Sequence, residues 1–470
     1  MTIRLALPTG DPRPAVGALL QEAGIGAECY EPGSRVLRSV VAEERLTLRV
    51  FREKDIPIQV ALGNYDLGIC GDVWVSELQI RFPLQRVVQV GSLPGAAMKV
   101  WLCASPQSGA VAGRVPPAGS LAGARVASEL PNLADLVGVH LRIPGYRLLP
   151  LFGSADAYPP EDAELVVMPA EGPEEVQRKG LVPLHCIYEG GLALIANADS
   201  LAGKDLSPLL GKLGQFLGGE KGSMDLPDVG GASAFQTFGR DTTVVRLALP
   251  DGHAQRHTWA ALADAGLTFE GYEEKTFVRR PAAGIDGLEI KVLRPQDMPA
   301  LVATGAFDMG VTGIDWLTDH LCRFPSSPVR MAVDLGRSRY KIGPVVDESF
   351  EAESTAEAVR AWNRLGRPVR IASEFPALAE AFARDHHLAH TQVIPISGAS
   401  EGFVPEDADI LIEGSETGTS IRANGLKMLD PFMESTNCVI VRREAVTERT
   451  DLLADLLARL EKAARAAAVS

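Results

Sequence analysis

The chain has 470 residues, 46% hydrophobic and 23% charged, ordinary values for a soluble globular protein with material for several cores. Its net charge of -14 argues against a broad nucleic-acid or anionic-membrane surface, although an acidic protein still binds anions locally through backbone N–H groups and a few arginines. No 18-residue apolar run predicts a membrane span, and the opening MTIRLALPTGDP turns polar too soon for a signal peptide. Cys29, Cys70, Cys103, Cys186, Cys322 and Cys438 are scattered without a C-x-x-C or a zinc spacing, so reduced thiols in a cytoplasmic protein are the expectation.

Along the chain, IRLALP from Ile3 reads as a strand, followed by a helix ending near QEAGI. LTLRVF is a strand, DIPIQVALG a helix and YDLGICG a strand, and ARVAS is a strand before a helix starting near Pro131. The series then recurs. VRLALPDG at Val245 answers IRLALPTG at Ile3, and QDMPALVATGAFDMGVTG (296–313) answers KDIPIQVALGNYDLGICG (54–71), both 242 positions on. Past a net change of three residues, RIASEFPALAEA (from Arg370) answers RVASELPNLADL (from Arg125), and PEDADI (from Pro405) answers PEDAEL (from Pro160).

Such register points to a tandem duplication of a unit of about 200 residues, too long for a solenoid repeat. We expect a degenerate copy over 1–217, a Gly/Ser/Pro-punctuated linker over 218–241, a second copy over 242–443 and an amphipathic C-terminal helix over 444–470. Alternating strands and helices predict an α/β fold with a mostly parallel sheet. Ligands then bind at the carboxyl ends of strands, so the glycine-rich ends at 68–71 and 310–313 face a plausible cleft or simply make tight turns.

Between the copies, one loop changes character. EGSETGTSIRANGL (413–426) follows the apolar strand DILI. It sets Glu413, Glu416, Thr417, Gly418, Thr419 and Ser420 ahead of a helix opening at SIRANGL. Hydroxyls, a close-approach glycine and helix N–H groups suit a phosphate, and Glu413 suits vicinal hydroxyls such as those of a ribose; a plain capped turn is as good an account. The first copy reads MPAEGPEEVQRKGL (168–181). Met168 stands for Glu413, Pro173 for Gly418, and Glu174 and Glu175 for Thr419 and Ser420, and carboxylates there repel an anion. Likewise Arg337 and Arg339, cations suited to a diphosphate or simply to a solvated turn, become Gly95 and Ala97.

These motifs in this order resemble the ATP phosphoribosyltransferase family of histidine biosynthesis, twice over. They are LALPTG and LALPDG, the R-x-x-D-I/M-P stretches at Arg52 and Arg294, G-x-x-D ending at Asp66 and Asp308, and ETGTSIRANGL. The resemblance implies two-lobed units like a type II periplasmic binding protein. It also implies transfer of phosphoribosyl from phosphoribosyl diphosphate to N1 of ATP, with Mg²⁺, releasing diphosphate in the first step of histidine biosynthesis. It places the 5′-phosphate on Glu416–Ser420, the ribose hydroxyls on Glu413, and Glu401 near ribose or metal. It gives Arg294 and Arg339 the diphosphate or ATP phosphates and leaves the metal ligands unassigned; Arg337, Asp315 and His253 are further substrate-binding candidates, and we expect Arg52 of the first copy to complete the site of the second as an internal partner. As partners it implies a homo-oligomer, dimer or higher, and for the short form a separate regulatory protein resembling a histidyl-tRNA synthetase.

The chain departs from the family in two places. The usual P-K-G-R turn is Pro250-Asp251-Gly252-His253 here and Pro8-Thr9-Gly10-Asp11 in the first copy. The 27 residues after Arg443 (444–470) are too few for the histidine-binding regulatory domain of the long form. A phosphoribosyltransferase for another purine or heterocycle, and a non-catalytic ligand-sensing regulator, are the alternative readings.

Overall fold

The computed structural model describes residues 2–26, 30, 37–41, 45–84, 86–218, 221–228, 235–398 and 400–469. Cys29 and parts of the expected linker (219–220 and 229–234) lie outside the described residues. The chain forms two compact units. One comprises Met1–Leu151, Tyr158–Phe238 and Ile396–Gly402; the other comprises Phe152–Ala157, Gly239–Pro395 and Phe403–Ser470. Each therefore counts among its own residues a short segment numbered in the opposite half of the sequence.

The first unit is built on one ten-stranded sheet. Ile3–Pro8 lies at the middle of one lobe, parallel to Leu46–Phe51 and Leu67–Gly71. Both faces of these strands are buried, which is why they read as apolar runs without alternation. Arg125–Ser128 plays the same part in the other lobe, parallel to Arg147–Pro150 and Leu165–Pro169. Two long strands, Val87–Ala104 and Val182–Asn197, pair antiparallel with each other and run through both lobes. Each lobe has its own core, one around Leu5, Leu7 and Ile69, the other around Leu102, Val126 and Leu133.

The second unit repeats the plan with a five-stranded and a six-stranded sheet, and adds a two-stranded ribbon of Glu270–Tyr272 and Phe277–Ala282. Val245–Pro250 runs parallel to Leu288–Leu293 and Met309–Gly313, and Val369–Ser373 runs parallel to Thr391–Pro395 and Ile410–Ser415. The strands that pass between lobes are broken here, as Val329–Asp334 then Tyr340–Asp347, and as Met433–Ser435 then Asn437–Arg442. Registers nevertheless match: Tyr340 faces Ser435 as Met98 faces Gly190. Because these returning strands pair antiparallel, the sheets are mixed, which corrects the expectation of a mostly parallel sheet. The sequence gives no direction to an apolar strand without a turn beside it.

Helices start where proline marks the first turn, as at Pro57, Pro131, Pro299 and Pro376. The C-terminal helix Thr450–Val469 lays Leu453, Leu456 and Leu460 into the core of the second unit's first lobe. No described helix is long and apolar enough to cross a membrane. The described cysteines Cys70, Cys103, Cys186, Cys322 and Cys438 are free thiols.

Candidate active site

A cavity of about 380 Å³ opens between the two lobes of the second unit. Strand ends build most of it, with Glu374 and Phe375 following Val369–Ser373 and the rest coming chiefly from four others. Val245–Pro250 delivers Asp251 and His253, and Leu288–Leu293 delivers Arg294 and Gln296. Met309–Gly313 leads into the helix Ile314–Arg323 with Asp315 and Trp316 on its first turn, and Ile410–Ser415 carries Glu413. All four are carboxyl ends of parallel strands, where α/β sheets place ligands.

Carboxylates dominate the lining: Asp251, Asp315, Glu374, Glu413 and Glu416, against the cation Arg294 and the imidazole of His253. Asp251 is buried, and its two oxygens accept from Arg279 Nη1 at 3.0 Å and Arg294 Nη1 at 3.3 Å. Asp315 is fully buried; Tyr340 Oη donates to one oxygen and Ser435 Oγ to the other, the latter at 3.1 Å. Burial pushes the Asp315 carboxyl above the usual carboxylate range, outweighing the hydrogen bonds that favour its charge. Burial and then the neighbouring Asp315 raise the Tyr340 phenol, so this pair resists ionisation of both members. Trp316 and Phe375 make an aromatic wall, their ring centroids 4.3 Å apart, a surface on which a planar heterocycle stacks.

The hydroxyl loop borders this cavity. Glu413, Gly414 and Glu416 line it; Thr417, Thr419 and Ser420 lie beyond its lining and are exposed. The short helix starts at Thr419 and stops at Ala423, one residue earlier than SIRANGL suggested. Gly418 takes φ +70°, a left-handed conformation that favours glycine, and the flexible tip of Arg422 lies close to where a Cβ would stand. Arg422 closes the loop on the Thr417 carbonyl at 2.8 Å, and Thr417 and Thr419 share a hydroxyl hydrogen bond.

Other expected residues fall elsewhere. Arg337 pairs with Asp264 beside the C-terminal helix, and Arg339 pairs with Glu434 at 3.0 Å on an exposed surface. Neither lines the cavity, because the turn that carries them points its intervening residue, Ser338, inward instead. Arg52 is exposed in the first unit. Glu401 belongs to the segment Ile396–Gly402, which packs in the first unit, and is not in the cavity lining. Sequence reading missed Arg279, Tyr340, Ser435, Trp316 and Phe375. Tyr340 and Ser435 carried the same signal as the loop, since the first half has Met98 and Gly190 at those places. Among the described residues no group of three or more His, Cys, Asp or Glu is arranged to hold a metal ion.

The family model of ATP phosphoribosyltransferase (HisG) matches residues 52–215 and 294–462, one segment in each half and together more than half of the chain. An ATP phosphoribosyltransferase of Chlorobium chlorochromatii is 31% identical over 210 residues, covering 44% of this chain and 66% of that protein. One from Chelativorans sp. is 30% identical over 231 residues, covering 47% of this chain and 99% of that protein. The chain thus spans just under two thirds of the Chlorobium relative's length. Among solved structures, the ATP phosphoribosyl transferase (HisG:HisZ) complex from Thermotoga maritima aligns at 18% identity over 47% of this chain and 99% of that chain, with a TM-score of 0.38.

Proposed function

The chain belongs to the ATP phosphoribosyltransferase family, and on that premise we propose that its second unit joins phosphoribosyl diphosphate to N1 of ATP, releasing diphosphate, as the first step of histidine biosynthesis. The observation that carries this is the placement of Glu413 and Glu416 in one cavity with Arg294 and an aromatic wall. Glu413 accepts from the ribose hydroxyls, the hydroxyls of Thr417, Thr419 and Ser420 meet the 5′-phosphate, and Trp316 with Phe375 receives the purine. Bond breaking at C1 leaves oxocarbenium character on the ribose. Cavity carboxylates stabilise that positive charge while Arg294 meets the departing diphosphate, so positioning and electrostatics do the work in place of a strong base.

Mg²⁺ suits this cavity by its donor chemistry. The ion favours hard oxygen ligands and is commonly held by one or two carboxylates together with substrate phosphates, in keeping with five lining carboxylates and no three-residue cage among the described residues. Glu413 and Glu416 would hold it, and when bound it supplies charge neutralisation for the diphosphate. Cytoplasmic location and self-association belong to the same reading, and sedimentation velocity of the purified chain tests the latter.

The test is diphosphate release with Mg²⁺ and phosphoribosyl diphosphate, with and without ATP, for the wild type and for Glu413→Ala combined with Thr417→Ala. ATP-dependent turnover that is lost in the double variant is the expected result. Turnover without ATP dependence, or an unaffected double variant, removes the reading.

A further inference from the structure

The acid at the opening turn, Asp251, stands where the related family carries a cation, and its surroundings explain it. Both oxygens are engaged, one by Arg279 and one by Arg294. Arg279 continues past Asp251: its Nη2 donates to Ser154 Oγ at 2.6 Å. Ser154 belongs to Phe152–Ala157, counted within the second unit, and adopts φ +62°, a left-handed conformation that a serine holds only where its surroundings enforce it. The neighbouring residues fix the segment. Phe152 N–H donates to Asp297 Oδ1 at 3.1 Å, and the Phe152 ring lies 6.0 Å from that of Trp316. Gly153 packs so closely under Arg294 that a Cβ would stand 2.8 Å from Nε.

The first unit supplies a control. Its segment Ile396–Gly402 makes the corresponding backbone bond, Ser397 N–H to Asp55 at 2.9 Å. There, however, Thr9 replaces Asp251, Leu37 replaces Arg279 and Ala399 replaces Ser154. Segment placement therefore does not need the polar chain, and its retention beside the cavity calls for another reason.

We infer that Asp251 is a positioning residue: braced from behind by Arg279, which Ser154 holds in turn, it fixes the cavity-lining Arg294 as a pre-oriented cation that receives a diphosphate. This rests on the reading that the cavity takes phosphoribosyl diphosphate. Arg279 spends its Nη1 on Asp251 and the Val292 carbonyl and its Nη2 on Ser154, whereas Arg294, held on one side by the carboxylate, presents its remaining N–H groups to the cavity in a fixed fork. Such a fork acts most on the charge that grows on the leaving diphosphate, so its loss lowers kcat more than it raises KM.

Two measurements test this on the full chain. Kinetics of Asp251→Asn, Asp251→Glu, Arg279→Gln and Ser154→Ala are compared with wild type, and calorimetry follows inorganic diphosphate with Mg²⁺ binding to each. Asp251→Asn lowers kcat about 10- to 100-fold, as loss of a group that orients a functional one does, with KM for ATP nearly unchanged and partial rescue in Asp251→Glu. Arg279→Gln and Ser154→Ala follow in the same direction with smaller losses. Diphosphate binds these variants more weakly, although Asp251→Asn removes a negative charge. Tighter diphosphate binding to Asp251→Asn would show a carboxylate that only repels the ligand and would overturn the proposal. So would wild-type kcat in Arg279→Gln, a partly exposed site chosen in case Asp251→Asn does not fold. Calorimetry needs no acceptor, so wild type that binds diphosphate yet ignores ATP separates failure of the ATP reading from failure of this one.

Discussion

In the first unit, Glu175 reaches back over its loop to accept the Glu171 N–H at 2.7 Å and also pairs with Lys179. That backbone bond first, and Lys179 second, hold its carboxyl below the usual range. In the second unit the corresponding residue is Ser420, exposed beside Thr419 at the start of a short helix. One loop supplies its own anion; the other offers hydroxyls. Deeper in the same units, Asp315, Tyr340 and Ser435 form a buried polar group where the first half has Val73 at the matching helix position and Met98 and Gly190 on matched strand registers. The first unit forms its sheet and cores without these particular residues, although beside Gly190 it buries a carboxylate of its own, Asp72, which accepts the Gly191 and Gly222 N–H groups. Polarity kept in one copy and removed from the other is therefore a better guide to a site than polarity alone.

The hardest test of this comparison exchanges its ends. Glu413→Met copies the residue of the first half and is expected to lower turnover about 10²- to 10³-fold, the usual loss when one preorganised group facing a transition state is removed. Met168→Glu makes the reciprocal change and leaves turnover within about twofold, a surface-independent core substitution being felt as stability instead. Steady-state kinetics of the two purified variants decide it. A large loss of turnover in the Met168 variant at unchanged melting temperature would mean that the first unit's loop takes part in catalysis.

Much of the fold was open to sequence reading because its central strands are apolar on both faces and its helices begin at prolines. The site was only half open. Glu413, Glu416, Arg294, Asp315 and His253 were expected together, and the cavity does collect them. Arg337 and Arg339 were expected there too, but a residue's presence in only one copy says nothing about the direction of its side chain. Arg279 sits on Phe277–Ala282 and Ser154 more than 100 positions before it, and no local pattern joins residues that only the tertiary fold brings together. Conversely, the family-like Asp66 and Asp308 survive in both copies because their work is structural. Each accepts the N–H of the residue opposite, Arg4 at 2.9 Å and Arg246 at 2.9 Å.

That shared structural role makes the next prediction. Asp66 is fully buried and accepts from Lys204 Nζ at 2.6 Å and Ser200 Oγ at 2.7 Å. Burial raises its carboxyl, but the hydrogen bonds from Lys204 and Ser200 outweigh it and hold the group below the ordinary range. A depressed folded value stabilises the fold above the unfolded value, about pH 4 for aspartate, and that contribution is lost as pH falls through the folded value. Asp66→Asn should cost about 3 kcal/mol at neutral pH, as breaking one side of a buried pair does, and progressively less below about pH 4. Urea unfolding at several pH values measures it, and a cost independent of pH would mean that the ionised carboxylate is not what holds this corner.

The smallest effect expected belongs to Asp315, and its sign is opposite. Its folded value is raised, chiefly by burial, so the native state binds a proton more readily than the unfolded chain. Between the raised folded value and the ordinary carboxylate value, stability therefore grows as pH falls. Asp315→Asn keeps the shape of the side chain and acceptor capacity for Tyr340, so its change in stability at neutral pH should stay within about 1 kcal/mol. What it removes is the pH slope from this group. Comparing urea midpoints of wild type and Asp315→Asn from neutral pH down to about pH 5, still above the ordinary carboxylate value, isolates that slope, because the other carboxyls raised by burial, Glu53, Glu77 and Asp319, are common to both proteins. Parallel curves would show that Asp315 is ionised throughout, and would turn the Asp315–Tyr340–Ser435 group from a neutral hydrogen-bonded support into a fixed negative charge against the cavity wall.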